Sequence, residues 1–291
     1  MYDLIRQFML ETNWDNEKKL NSLIKNSASG LINSIASAGS RFAALYAASK
    51  YTPSKAASEV AGGMTQIRML SQMARWDEYT ELIAILKVYA ISVLQANMQQ
   101  IAAFMFSRKS LRVAITCGQD IQSENRAATA DLFEKLPDFE ISAKQNLFPI
   151  SKLPSRAFFT LPYSVNYAAL SLKGVPYTHP DSPVLQILAN CIQQNRIHSE
   201  VREKGGAYGG GARYDSLEGI FSFTSYRDPS FERSLEVMHD AGRWMTEQKI
   251  EDDVLGELKL STFKDIDAPI SVQQEGKLEF MYGITDDLRQ T

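Results

Sequence analysis

The sequence predicts an α+β fold in which a long helical stretch precedes a compact unit of antiparallel strands and helices. Three observations carry this. Apolar residues recur at helical spacing through most of residues 2–106. Two short runs, 208–214 and 220–226, alternate small or polar residues with large apolar ones on either side of a turn, the pattern of an antiparallel hairpin. Helical patterns then flank the hairpin, 182–203 before it and 231–282 after it, as expected where helices cover one face of a sheet.

Taken in order, Leu20, Leu23, Ile24, Leu31, Ile32 and Ile35 set a first helical face that Phe42, Leu45 and Tyr46 continue. The frequent small residues of 27–49 suit close helix packing. Thr52 and Pro53 then interrupt, the threonine as a cap and the proline at the first helical position. A second helix is predicted through Gly62 and Gly63 to Met73. A third starts near Asp77 and carries Leu82, Ile85, Leu86, Tyr89, Val93 and Leu94. Residues 111–117 read as a strand and 123–136 as a helix. The polar, proline-flanked stretch 137–154 reads as a domain boundary, dividing the chain into 1–145 and 146–291. Beyond it, 157–162 and 167–172 read as strands, and Pro183 opens the helix 182–203. After the hairpin, helices are predicted over 231–248, 252–266 and 271–282, with Pro269 between the last two. The pairs Asp252–Asp253 and Asp286–Asp287 sit at helix starts, where the helix dipole favours them.

Composition narrows the function classes. The chain has 291 residues, a net charge of -3 and 44% hydrophobic residues, an ordinary globular balance. That charge offers no electrostatic case for nucleic acid or an anionic membrane surface. No stretch approaches the roughly 20 uninterrupted apolar residues of a membrane span. Residues 1–10 lack the apolar core and small-residue cleavage site of a secretion signal; the sequence leaves the compartment unknown, and cytoplasm and organellar matrix both fit it. The two cysteines, Cys117 and Cys191, fit either free thiols or one disulfide.

The chemistry concentrates in residues 199–229, SEVREKGGAYGGGARYDSLEGIFSFTSYRDP. Gly205 and Gly206 end the preceding helix, which leaves Arg202 at its last turn and Tyr208 at the mouth of a strand. An arginine and a tyrosine so placed can both donate to a carbonyl oxygen or an oxyanion, and a glycine hinge would let them close over a bound chain. The same spacing also fits an arginine pairing a nearby carboxylate and a tyrosine packing at a sheet end. A phosphate-binding loop is excluded by context. Such loops leave a strand and open a helix, whereas these glycines leave a helix and open a strand.

The string VREKGGAYGGG followed by GIFSFTSYRDP resembles the C-terminal half of the pitrilysin/insulinase-type zinc metallopeptidases (peptidase family M16), and most of all their presequence-protease branch. Looser similarity runs from GLINSIASAGSRFAALYAASKYTPS to GITDDLRQ. The resemblance implies a pitrilysin-type two-layer sandwich over 146–291, closing before its last strand, preceded by a helical region and the end of a third such domain over 1–145. It implies an enzyme that degrades short unfolded peptides in a closed chamber. Matched residue by residue, Arg202 and Tyr208 would reach the bound peptide as catalytic donors, with Gly205, Gly206 and Ala207 against its backbone.

The same resemblance places the zinc elsewhere. The family holds it with an HxxEH motif and a distant glutamate, and this sequence contains no HxxEH. Its three histidines, His179, His198 and His239, show no metal-ligand spacing. The zinc and the attacking water are therefore expected on an N-terminal half, as the same polypeptide or a partner chain, and this chain alone is expected to be inactive. Local bonding is the expected role of His198. The other function open to the sequence is a non-catalytic structural or substrate-binding subunit of the same family.

Overall fold

The computed structural model describes residues 1–75, 81–139, 156–285 and 287–288, without the side chains of 81–90 and 265–266. These residues form two compact units. The first comprises the described residues of Met1–Asn21, Trp76–Lys144 and Ala268–Thr291; the second comprises Ser22–Arg75 and the described residues of Gln145–Asp267. The predicted start near Asp77, the side chains of Leu82, Ile85, Leu86 and Tyr89, the boundary around residue 145 and Asp286 all lie outside the described residues.

The first unit is helical: α1 (Tyr2–Leu10), α5 (Glu81–Met105), α6 (Gln122–Glu134) and α10 (Lys277–Tyr282). The Tyr2 hydroxyl donates to Asn125 Oδ1 at 2.9 Å and fastens α1 to α6. The predicted helix 271–282 is interrupted. A 3-10 turn over Val272–Gln274 and α10 are separated by Gly276, whose φ is 68°. The strand predicted over 111–117 does not form. A strand exists only through its ladder to a neighbour, and no described residue supplies one. Val113 and Ile115 stay exposed along an apolar groove shared with Met1, Ile5, Met9 and Leu132.

The second unit contains the sheet. Strands β1 (Ala169–Lys173), β2 (Gly209–Asp215) and β3 (Ile220–Tyr226) pair antiparallel in the order β1-β3-β2, with Ala169 opposite Thr224 and Gly209 opposite Tyr226. The hairpin thus forms where the alternation and the turn chemistry of 215–219 place it. Residues 157–162, predicted as a strand, do not join the sheet. Phe159 and Leu161 instead pack on the cluster formed by Ile35, Phe42, Met64 and Ile67. On β3, Phe221 and Phe223 turn one face apolar. They join a core built from α7 (Ser182–Ile192), the coil that follows it and α8 (Phe231–Thr246), including Ile192, Ile197, Val201, Val237 and Met238. Helix α9 (Asp252–Ile266) completes this layer, the Asn190 amide donating to Thr262 Oγ1 at 3.1 Å. The architecture is mixed helix and antiparallel sheet, the α+β class.

Helix α2 (Glu17–Ala48) contributes its small-residue face to the second unit and is kinked at Ala38 (φ -124°, ψ 17°). Carbonyls freed near a kink need donors. The Tyr163 hydroxyl donates to Ile32 O at 3.0 Å and that of Tyr167 to Ala36 O at 2.8 Å, while Ser40 Oγ donates to Ser225 O of β3 at 2.7 Å. Thr52 caps α3 (Pro53–Gly62) by accepting from Lys55 N at 3.2 Å, with Pro53 in its first turn, as predicted. The helix predicted to run through Gly62 and Gly63 is two helices, α3 and α4 (Met64–Ala74).

The break between them is organised by Glu59. Its Oε1 accepts from Thr65 N at 2.9 Å and Thr65 Oγ1 at 3.1 Å and so caps α4, while its Oε2 has no partner and the residue is fully buried. Burial holds this carboxyl above its ordinary 4.5, against the opposing pull of the Thr65 and Met64 donors. A raised carboxyl pKa in the folded state favours the neutral acid. Its contribution is therefore complete below the ordinary value and is lost as pH rises through the raised one. Glu59→Gln should melt above wild type at pH 8, with the difference narrowing toward pH 4. Thermal melts across that range decide it; a wild-type advantage that grows with pH would contradict a raised Glu59 pKa.

Candidate functional site

The site begins where α7 changes its winding. From Gln193 to Glu203 the backbone continues as a π-helix, one residue wider per hydrogen-bonded ring than the α-helix predicted there. Side chains hold both ends of the wide coil. Gln193 Oε1 accepts the Ala212 amide at 2.7 Å on the outer edge of β2, and Asn195 Nδ2 donates to Cys191 O at 3.1 Å. At the far end, Arg233 of α8 donates through Nη1 to Glu200 O at 2.6 Å and through Nη2 to Glu200 Oε2 at 3.0 Å. Lys204 Nζ meets the other Glu200 oxygen at 2.6 Å. That hydrogen bond is the main cause holding the Glu200 carboxyl below its usual range, outweighing its burial, with the charges of Lys204, Arg196 and Arg233 adding to it. Between the ends, Ile197 and Val201 are fully buried. They press so close to β2 that a Cβ on Gly210 would sit 2.8 Å from Ile197 Cγ2 and 3.1 Å from Val201 Cγ1.

The coil ends in a locked turn. Lys204 N donates to Ser199 O at 3.0 Å, Gly206 N to Arg202 O at 3.0 Å and Ala207 N to Val201 O at 3.1 Å. Gly206 sits at φ +77°, which its missing Cβ permits. Gly205 lies where a side chain would meet the Arg233 guanidinium, and Ala207 is buried. These glycines therefore form a closed cap in place of the expected hinge, and the amides of Gly206 and Ala207 are already engaged.

The cap sets the two candidate donors in different surroundings. Arg202 is exposed, and its Nη1 lies 2.8 Å from His198 Nε2, while His198 Nδ1 lies 3.4 Å from Glu203 Oε1. A neutral His198 protonated on Nδ1 satisfies both contacts, accepting from Arg202 and facing Glu203. Tyr208 is 72% exposed. Its ring stands edge-on to Tyr226 with centroids 5.9 Å apart, and the Arg227 guanidinium carbon lies 5.9 Å from it. Arg202 and Tyr208 are thus carried by one hydrogen-bonded turn, each engaged by its own neighbours. Among the described residues no three His, Cys, Asp or Glu side chains gather where a metal could be held, so they do not fit a catalytic zinc. Cys117 and Cys191 are free thiols.

Comparison with known proteins gives this geometry its setting. The family model for the region associated with subfamily C of peptidase family M16 matches residues 1–73, and the model "PreP C-terminal domain" matches residues 156–291, which contain the whole site. The chain belongs to the presequence-protease branch of the M16 peptidases. It is 38% identical to the mitochondrial presequence protease of Yarrowia lipolytica, 36% to that of Gibberella zeae and 35% to that of Saccharomyces cerevisiae. Each match takes in all of this chain but only 28%, 28% and 29% of the relative, so the chain spans less than a third of these proteins.

Within this M16 chain the sequence singled out the candidate donors, Arg202 and Tyr208, but missed what holds them. The histidine beside Arg202 was signalled by its spacing of four on one helix, as was the Glu200–Lys204 pair. Arg233, thirty-three residues from Glu200, left no such mark. The cap makes a prediction in two opposite directions. Gly206→Ala forces a Cβ into the left-handed region and should cost about 1–2 kcal/mol in denaturant melts. Gly242→Ala, inside α8 with open space around the new methyl, should gain up to about 1 kcal/mol. Equal effects at the two positions would show that the turn is not held as described.

Proposed function

We propose that this chain is the C-terminal part of a zinc-dependent endopeptidase that degrades short unfolded peptides in a closed chamber. In this reading it supplies the wall opposite the metal. The zinc and its ligands lie outside the described residues, on the N-terminal half of the peptidase, and 146–291 forms the pitrilysin-type sandwich with 1–145 preceding it. The relatives' names carry a mitochondrial location and presequence peptides as substrates, and we extend both to this protein.

The observation that carries the reading is the pairing of an exposed phenol and an exposed guanidinium on one hydrogen-bonded turn. Donors fixed before substrate arrives need no reorganisation as charge develops on a carbonyl oxygen, which is what oxyanion stabilisation requires. Tyr208 donates its hydroxyl and Arg202 its guanidinium to that oxygen, while Gly205, Gly206 and Ala207 form the rim along which the peptide backbone lies. Arg202 leaves His198 when a carbonyl takes its place. A substrate-holding part without catalytic donors is the second reading. It draws on the local engagement of Arg202 by His198 and of Tyr208 by Tyr226.

One series separates the two in the complete peptidase. As an oxyanion donor, Tyr208 contributes more in the transition state than in the ground state, so Tyr208→Phe should lower kcat by about 10²–10³ with KM and melting temperature little changed. Arg202→Lys should rescue poorly, because the planar fork is lost. A change in kcat below about threefold for Tyr208→Phe removes it from the chemistry and favours the substrate-holding reading.

A further inference from the structure

Among the described residues, Arg227 is the one residue other than glycine with a positive φ, at 48°. A side chain with a Cβ is disfavoured there, and glycine or asparagine would take the position more readily. The conformation is imposed from both sides. Before it, Tyr226 is held in the ladder opposite Gly209. After it, Asp228 is fully buried: its amide donates to Asn166 O at 2.9 Å, and its carbonyl accepts from Asn166 N and Nδ2, each at 2.9 Å. Asp228 Oδ1 also accepts from Ser230 N at 2.8 Å, leading into α8. One residue must make the turn between two fixed points, and the residue found there is a long cation.

What that side chain reaches explains its presence. The guanidinium carbon lies 5.3 Å from the centroid of Tyr226 and 5.9 Å from that of Tyr208, within cation–π range of both. The Arg227 carbonyl accepts from Tyr208 N at 3.4 Å. Tyr226 is in turn backed by Tyr167, with centroids 5.6 Å apart, and Tyr167 is anchored by its hydroxyl on α2. The mostly exposed phenol of Tyr208 is therefore gripped by a chain of contacts that runs back into the fold.

We propose that Arg227 is a positioning residue for Tyr208, its strained backbone holding a guanidinium against the phenol ring so that the hydroxyl is aimed before substrate binds. This rests on the reading of Tyr208 as an oxyanion donor, and the test separates the two. Strain kept at a site under selection by chemistry is the expected signature.

The test uses the complete peptidase. Arg227→Gly removes the guanidinium and relieves the strain, and Arg227→Asn does nearly the same with a residue that tolerates the left-handed region. Both should keep or raise the melting temperature, yet lower kcat about tenfold with KM within about twofold, less than the loss of the donor itself. Arg227→Lys should recover part of the rate. In a Tyr208→Phe background, Arg227→Gly should change kcat less than about twofold, because the two act through one hydroxyl. The substrate-free enzyme labelled with ¹³C-tyrosine supplies a readout independent of turnover: the Tyr208 ring signal should move toward the solvent-exposed value in Arg227→Gly. An unchanged kcat in Arg227→Gly where Tyr208→Phe is impaired overturns the proposal, as do additive losses in the double variant or an unmoved ring signal. If Tyr208→Phe itself is unimpaired, the oxyanion reading fails, and the ring signal still decides whether Arg227 holds the phenol.

Discussion

The π-helical winding of Gln193–Glu203 is the constraint from which the site follows. A π-helix is less favourable than an α-helix and long runs are rare, so this one needs support along its length. Gln193 ties its start to the edge of β2, Arg233 ties its end to α8, and Ile197 and Val201 bury its middle against Gly210. Remove the glycine side of that contact and the coil could not approach the strand. The helix closes where the Val201 and Arg202 carbonyls accept from the Ala207 and Gly206 amides. The candidate donors inherit their positions from this closure.

Much of the second unit was legible because its signals are local. The period-two pattern of 220–226 and the turn chemistry of 215–219 define the hairpin without reference to any partner. Thr52, Pro53 and Pro183 mark helix starts through their own side chains. What failed depended on distant neighbours. Residues 111–117 carry a strand's alternation, yet a strand needs a ladder. Residues 157–162 carry the same pattern and spend it on packing against α2. The π winding could not be read from local spacing, because its supports lie far along the chain at Ala212 and Arg233. Nor did spacing reveal that α2, far upstream in the chain, would meet Tyr163, Tyr167 and Ser225.

The same division runs through the site. Arg202, Tyr208 and the glycines between them form a contiguous motif that the sequence displays, and the family relationship gives it meaning. Their surroundings are assembled from elsewhere: Arg233 from α8, and Tyr226 and Arg227 from the end of β3. The glycines suggested a hinge, and the backbone uses them for a left-handed cap and a close approach. On the proposed reading that fixed geometry matters, because a donor aimed in advance is worth more to a transition state than one that must be gathered in.

The placement of Arg202 and Tyr208 therefore depends on how firmly the 202–208 turn is held. Amide hydrogen exchange at Lys204, Gly206 and Ala207 measures this directly, since each amide should open only when the π-helix end opens. Exchange within about tenfold of the β3 amides, accelerated when Gln193→Ala cuts the tie to β2, is the result the account predicts. Exchange of these three amides at the rate of an unstructured loop in the unaltered protein would contradict it.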